Sequence, residues 1–107
     1  MAGMWDLVYQ NFDPSFKRIN IKLFRCELVG VALGVRARAN AKTNIETELG
    51  RTLSTEEIAD LTAIADNFET GTVEDRLVYN SKVEMACNAA ELGIITESQW
   101  RALMEIS

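Results

Sequence analysis

Histidine is absent from this chain, so no side chain titrates near neutral pH unless its surroundings shift it, and the usual general base and metal ligand are both missing. Proline occurs once, at Pro14, and the ninety-three residues after it contain none; glycine occurs six times. A sheet protein of this length needs more turn punctuation than that, so helices are favoured. Cysteine occurs twice, at Cys26 and Cys87, far apart and each among apolar or helix-forming neighbours. Such thiols read as buried, free, small hydrophobes rather than as a disulfide framework, and they point to a reducing compartment. The most apolar run, Leu28 to Val35, falls well short of the roughly 20 residues that cross a bilayer. Met1 to Asp6 hold neither a basic region nor an apolar stretch, and Ala2 stands where a myristoylation motif needs glycine, so neither a signal peptide nor a membrane anchor is expected.

What is present suffices for a core. The chain has 107 residues, 48% apolar and 25% charged, which describes one globular domain over 1–107 that folds without metals or cross-links. Chemistry-bearing constellations are missing with the histidines: there is no Cys/His pair, nucleophile elbow or phosphate-cradling glycine loop. The acidic pairs Glu56-Glu57 and Glu74-Asp75 fall in first helical turns, where capping and the helix dipole account for them. We therefore expect no catalytic residue, no cofactor, no metal and no small-molecule substrate.

Helix signals punctuate the whole chain. Trp5, Val8, Tyr9 and Phe12 lie at i, i+3, i+4, i+7, an amphipathic turn or two that either packs on its own core or docks its aromatic edge (Trp5, Tyr9, Phe12) into a partner. Asp13-Pro14 is a start signal, and the chain then reads helical from about 15 to 48, with Gly50 as terminator. A strand-like alternation over Arg18 to Leu23 competes locally, but the longer window favours helix. Ser54-Thr55-Glu56-Glu57 is a capping box with Leu53 and Ile58 as its hydrophobic staple; Thr96-Glu97-Ser98-Gln99 is another, stapled by Ile95 and Trp100. Between them Thr72 opens a helix that runs to Leu92 and stops at Gly93. On it Tyr79, Val83, Ala86 and Ala90 form one apolar row, and Val78, Met85, Ala89 and Leu92 an adjacent one. The expected fold is all-α: a four- to five-helix bundle with a long central helix (about 15–48) and short loops.

That central helix is apolar on two sides. Ile21, Phe24, Leu28, Val31 and Val35 make one seam; Phe16, Ile19, Leu23, Gly30, Gly34, Ala37 and Ala41 make a second face, where the small residues (Gly30, Gly34, Ala37, Ala41) admit a close helix crossing or a subunit interface. A continuous rod of that length would measure about 50 Å. A compact domain is only about 30 Å across, so the rod either breaks, near Gly30–Gly34 or Asn40–Asn44, or projects and is covered by neighbouring copies.

The remaining strip carries Arg18, Lys22, Arg25 and Arg36, an anionic-partner candidate. Residues 17–42 hold seven cations against the single acid Glu27, a local balance of +6 in a chain whose net charge is −5. Three readings follow: solvated faces, complementarity between the basic strip of one copy and the acidic remainder of the next, or nucleic acid on the strip. A pI near 4.7 weighs against the last.

Two resemblances bear on function. Glu48-Leu49-Gly50-Arg51-Thr52-Leu53-Ser54-Thr55-Glu56-Glu57-Ile58-Ala59 resembles a short stretch of bacterial sigma factors, in which a Leu-Gly-Arg turn leads into a capped helix, but no basic recognition helix follows it here. Leu92-Gly93-Ile94-Ile95-Thr96-Glu97-Ser98-Gln99-Trp100 is similar to the ending of small helical tail-module proteins of tailed bacteriophages, which implies a virion or accessory subunit, placed in the host cytoplasm or the virion. The function expected is a non-enzymatic structural or interaction subunit of a macromolecular assembly, with protein partners and a homo-oligomer or larger assembly as its state. The alternative is a small regulator that binds nucleic acid or the transcription machinery through the basic strip.

Overall fold

The structure, a computed structural model, describes residues 3–8, 21–32, 34 and 36–107, with Ile21 and Ala32 described by backbone alone. Among the described residues six helices follow one another: α1 (Trp5–Val8), α2 (Ile21–Ala32), α3 (Arg38–Leu49), α4 (Thr55–Glu69), α5 (Val73–Leu92) and α6 (Glu97–Leu103). The described residues contain no strand. The all-α bundle is thus what the sparse proline and the capping boxes led us to expect.

Local chemistry sets most of the boundaries. Ser54 Oγ accepts the Glu57 N–H at 3.1 Å while the Glu57 carboxylate accepts the Ser54 N–H at 2.8 Å, so two orphan donors at the start of α4 are satisfied. Thr96 and Gln99 repeat the arrangement at α6, with 3.2 and 2.8 Å contacts. A third box, Thr72 with Asp75, opens α5; in the sequence it showed only as acids in a first turn, because aspartate replaces the usual glutamate. Gly50 and Gly93 end α3 and α5 in the left-handed conformation, at φ 74° and 70°.

The single long helix over 15–48 is not what forms. Its described part is two helices, α2 and α3, with the break after Ala32, close to the Gly30–Gly34 position marked above. Gly34 takes φ 74° and donates its N–H to the Val31 carbonyl, and the Arg36 N–H returns to the Gly30 carbonyl at 3.0 Å. Glu27, only 3% exposed, then ties the corner: Arg36 Nη1 lies 2.6 Å from its carboxylate, and Asn44 Nδ2 on α3 donates to both of its oxygens. The chain folds back because a two-sided apolar rod buries more of its surface within a compact domain than projecting from it.

The fold-back lets α2 pack on α3, α4 and α5, and α5 pack on α4 and α6. Phe24 and Leu28 of α2, Ile45 of α3, Ile64 and Phe68 of α4, Val83 and Cys87 of α5 and Trp100 of α6 are fully buried together. Phe68 meets Tyr79 edge-on, with ring centroids 4.8 Å apart. The Tyr79 hydroxyl donates to the Met104 carbonyl, and Asn67 Nδ2 donates to the Tyr79 oxygen at 3.2 Å. Of the two thiols Cys87 is buried and Cys26 exposed, so the reading of both as core residues holds for one.

Asp60 fixes the ends of the chain. Its carboxylate accepts the buried Met4 N–H at 3.0 Å and two bonds from Arg101, at 3.0 and 2.8 Å; Arg101 in turn donates to the Ser107 carbonyl. The N-terminal turn, α4 and the C-terminal segment are thereby joined at one carboxylate.

Candidate functional site

The residues marked from the sequence do not form one surface. Trp5 is buried, its ring centroid 5.9 Å from that of Trp100 at an interplanar angle of 55°, so this part of the aromatic edge serves the protein's own core rather than a partner. Tyr9 and Phe12 lie outside the described residues. The four small residues separate as the rod breaks. A Cβ on Gly30 would lie 3.2 Å from Arg36 Cβ, so this glycine admits the returning loop. Gly34 is exposed in that loop and would meet nothing within 4 Å. Ala37 is the exposed residue before α3, and only Ala41 sits in a close crossing, buried with Val31 and Ala65.

The basic strip separates for the same reason. Arg18 lies outside the described residues, and Lys22 is exposed on α2. Arg25 reaches Glu84 at 3.3 Å and Asn88 at 3.4 Å, both on α5. Arg36 has left the helix and pairs with Glu27; hydrogen bonds to Glu27 and then Cys26 hold its guanidinium more firmly protonated than usual. Arg38 pairs with Asp66 and Glu69 across to α4, and Lys42 with Glu46. Arg25, Arg38 and Lys42 thus meet acids of the later chain within one molecule, while complementarity between copies was only one of three readings of the charge pattern.

Among the described residues no group of histidine, cysteine, aspartate or glutamate converges as a metal-holding cluster, and no helix is long and apolar enough to cross a membrane. One cleft of about 430 Å³, between the start of α5 and the C-terminal segment, is lined by Asn67, Asp75, Tyr79, Lys82 and Glu105. Its polar groups bind one another: Asn67 and Tyr79 as described, and Lys82 with Glu105 at 3.4 Å. Burial pushes the Tyr79 phenol up to about 12, far from any acid–base role at neutral pH.

Among the described residues one side of α5 is left uncovered. Of the two apolar rows seen in its sequence, the first (Tyr79, Val83, Ala86, Ala90) is core. The second faces water: Val78 is 58% exposed, Met85 54% and Leu92 72%, and only Ala89 between them is buried. Leu77 flanks the row, and Ile94, just beyond the helix end, extends it at 69% exposure. Ser81, Asn88 and Ala89 are small and lie between the large side chains, leaving an open groove of about 440 Å³ bounded by Met85, Leu92 and Ile94. Single exposed apolar residues are ordinary on a soluble protein; an aligned row of them along one helix is less so. In the sequence both rows read as apolar; only the packing of α1, α2, α4 and α6 determines which is covered. No family model, no curated protein and no solved structure matches this chain.

Proposed function

We propose that this protein is a non-enzymatic subunit of a macromolecular assembly and that it engages its protein partner through the exposed apolar row of α5. The observation that carries this reading is the water-facing alignment of Val78, Met85 and Leu92, continued by Ile94. Burying each of those side chains against a partner is worth about 1.5–3 kcal/mol relative to full exposure, reduced here in proportion to the part already covered. A bacteriophage virion or accessory role rests on the C-terminal resemblance and is the finer form of the proposal. The engagement of Arg25 and Arg36 by Glu84 and Glu27 supports a protein-binding reading over a nucleic-acid one, since those guanidiniums already have carboxylate partners.

The test is a native mass by light scattering, together with affinity capture from the source cell, for the wild-type chain and for Met85→Glu and Leu92→Glu. Wild type is expected to appear in a larger species, either self-associated or bound to a second protein, which both variants lose with unchanged melting temperature. A monomer that retains no partner, or reproducible turnover of a substrate by the purified chain, would overturn the reading.

A further inference from the structure

Resting on the reading of α5 as an interaction surface, we propose that its occupant is an amphipathic helix of another protein, carrying lysine or arginine near both ends of its apolar stripe. Spacing comes first. Val78, Met85 and Leu92 are seven residues apart, so at 1.5 Å per residue they form a nearly straight stripe about 21 Å long, drifting only about 20° per step. A stripe with that repeat matches a second helix lying almost parallel to α5, whose side chains enter the gaps between large residues. Those gaps exist: Ser81, Asn88 and Ala89 keep the groove beside Met85 and Leu92 open. A helix also makes no demand for unpaired backbone groups, which the middle of α5 cannot supply because its own ladder uses them.

Charge then selects the occupant. Cations at the two edges of the stripe already have carboxylates: Arg25 pairs with Glu84 at one edge, and Lys82 with Glu105 at the other. Glu74, in the first turn of α5, and Glu91, in its last, are exposed and make no ion pair among the described residues. They sit on the water-facing side of the helix, at opposite ends of the stripe, and leave it negatively charged overall. A second copy of this chain brings the same face and therefore the same two unpaired carboxylates; of the α5 cations Lys82 is already paired and Arg76, half-buried, is turned toward the Glu69 carbonyl at 3.5 Å rather than toward the stripe. A helix with basic residues flanking its apolar positions meets both, and opposite charges at the rim of an interface favour the encounter and fix the register.

Two synthetic helices test this by fluorescence anisotropy with the full-length protein. Both carry leucines in a heptad pattern; one is flanked by lysines and its match by glutamates. The lysine peptide is expected to bind at least about 10-fold more tightly at low salt, with the gap narrowing as salt screens the rim. The double reversal Glu74→Lys/Glu91→Lys is expected to invert the preference, and Met85→Glu or Leu92→Glu to abolish binding of either peptide. Because both of the latter side chains are exposed, unchanged thermal melts serve as the folding control. Equal binding of the two peptides, or a preference for the glutamate peptide, overturns the basic-helix inference. Failure of both peptides, in a protein whose native mass is a multimer that Met85→Glu dissociates, also overturns it, and shows a second copy on the stripe while the underlying reading stands. Failure of both peptides with no effect of Met85→Glu on native mass or co-purification removes the interaction surface as well.

Discussion

Replacing Asp60 with alanine tests how the ends of this chain are held. Asp60 is 7% exposed and accepts three hydrogen bonds, one from the Met4 N–H and two from Arg101. Its removal leaves the buried Met4 N–H without an acceptor, which costs about 1–3 kcal/mol. Arg101 loses a two-point carboxylate partner while its side chain is 22% exposed; breaking a buried pair from one side costs about 3–5 kcal/mol, and partial access to water brings this pair to the lower end or below. The two losses share one carboxylate and do not add fully, so about 3 kcal/mol is expected. For a domain of this size that is a fall of roughly 10–20 °C in Tm. Circular dichroism melts and urea titrations of Asp60→Ala, Arg101→Ala and the double variant supply the measurement. The double variant is expected to be no worse than Asp60→Ala by more than about 1 kcal/mol, because the charge it deletes has already lost its partner. A destabilisation of Asp60→Ala below about 1 kcal/mol, or full additivity of the two single changes, would refute the claim that this carboxylate joins the termini to α4.

Four further outcomes follow from the same geometry. Ser54→Ala removes the acceptor for the Glu57 N–H and should cost about 1 kcal/mol by thermal or urea unfolding. Gly34→Ala should cost about 1–2 kcal/mol through the left-handed backbone at φ 74° and not through contact, so Gly34→Asn should recover part of the loss; this replaces the helix-crossing role expected for Gly34 from the sequence. On acidification, burial raises the Glu57 carboxyl, but the bonds from Arg51 and Ser54 outweigh that and set it below its ordinary value; the Leu53 N–H with Lys42 lowers Glu46, and Thr72 lowers Asp75. Carboxyls held below their unfolded values stabilise the fold above those values, so urea midpoints should be level near neutrality and fall as pH drops below about 4.5, and a midpoint that rises on acidification would contradict the assignments. Finally, Ellman's reagent at pH 8 should titrate one thiol rapidly in the native chain and two after denaturation, since Cys26 is exposed while burial pushes the Cys87 thiol up to about 12.

The starts and stops of the helices were written locally and so could be read locally. Ser54, Thr96, Gly50 and Gly93 act on backbone groups within a few residues of themselves, and the structure places α4, α5 and α6 where those residues put them. The apolar seam of α2 was legible for the same reason: Phe24, Leu28 and Val31 share a face of one helix and are all buried. What the sequence left open was anything that depends on two distant segments meeting. Whether the rod broke near Gly34 turned on Glu27 finding Arg36 and Asn44 across the corner, and the dispersal of the basic strip turned on that same Arg36–Glu27 pair and on Glu84 arriving from α5 at Arg25. Both rows of α5 are apolar in sequence, the exposed one (Val78, Met85, Ala89, Leu92) no less than the buried one, and hydrophobicity is non-directional, so a pattern along one helix cannot say which of its sides will be covered. Among the described residues α1, α2, α4 and α6 pack on α5 and cover the first row, and the second is left in water; that choice was made by the tertiary structure.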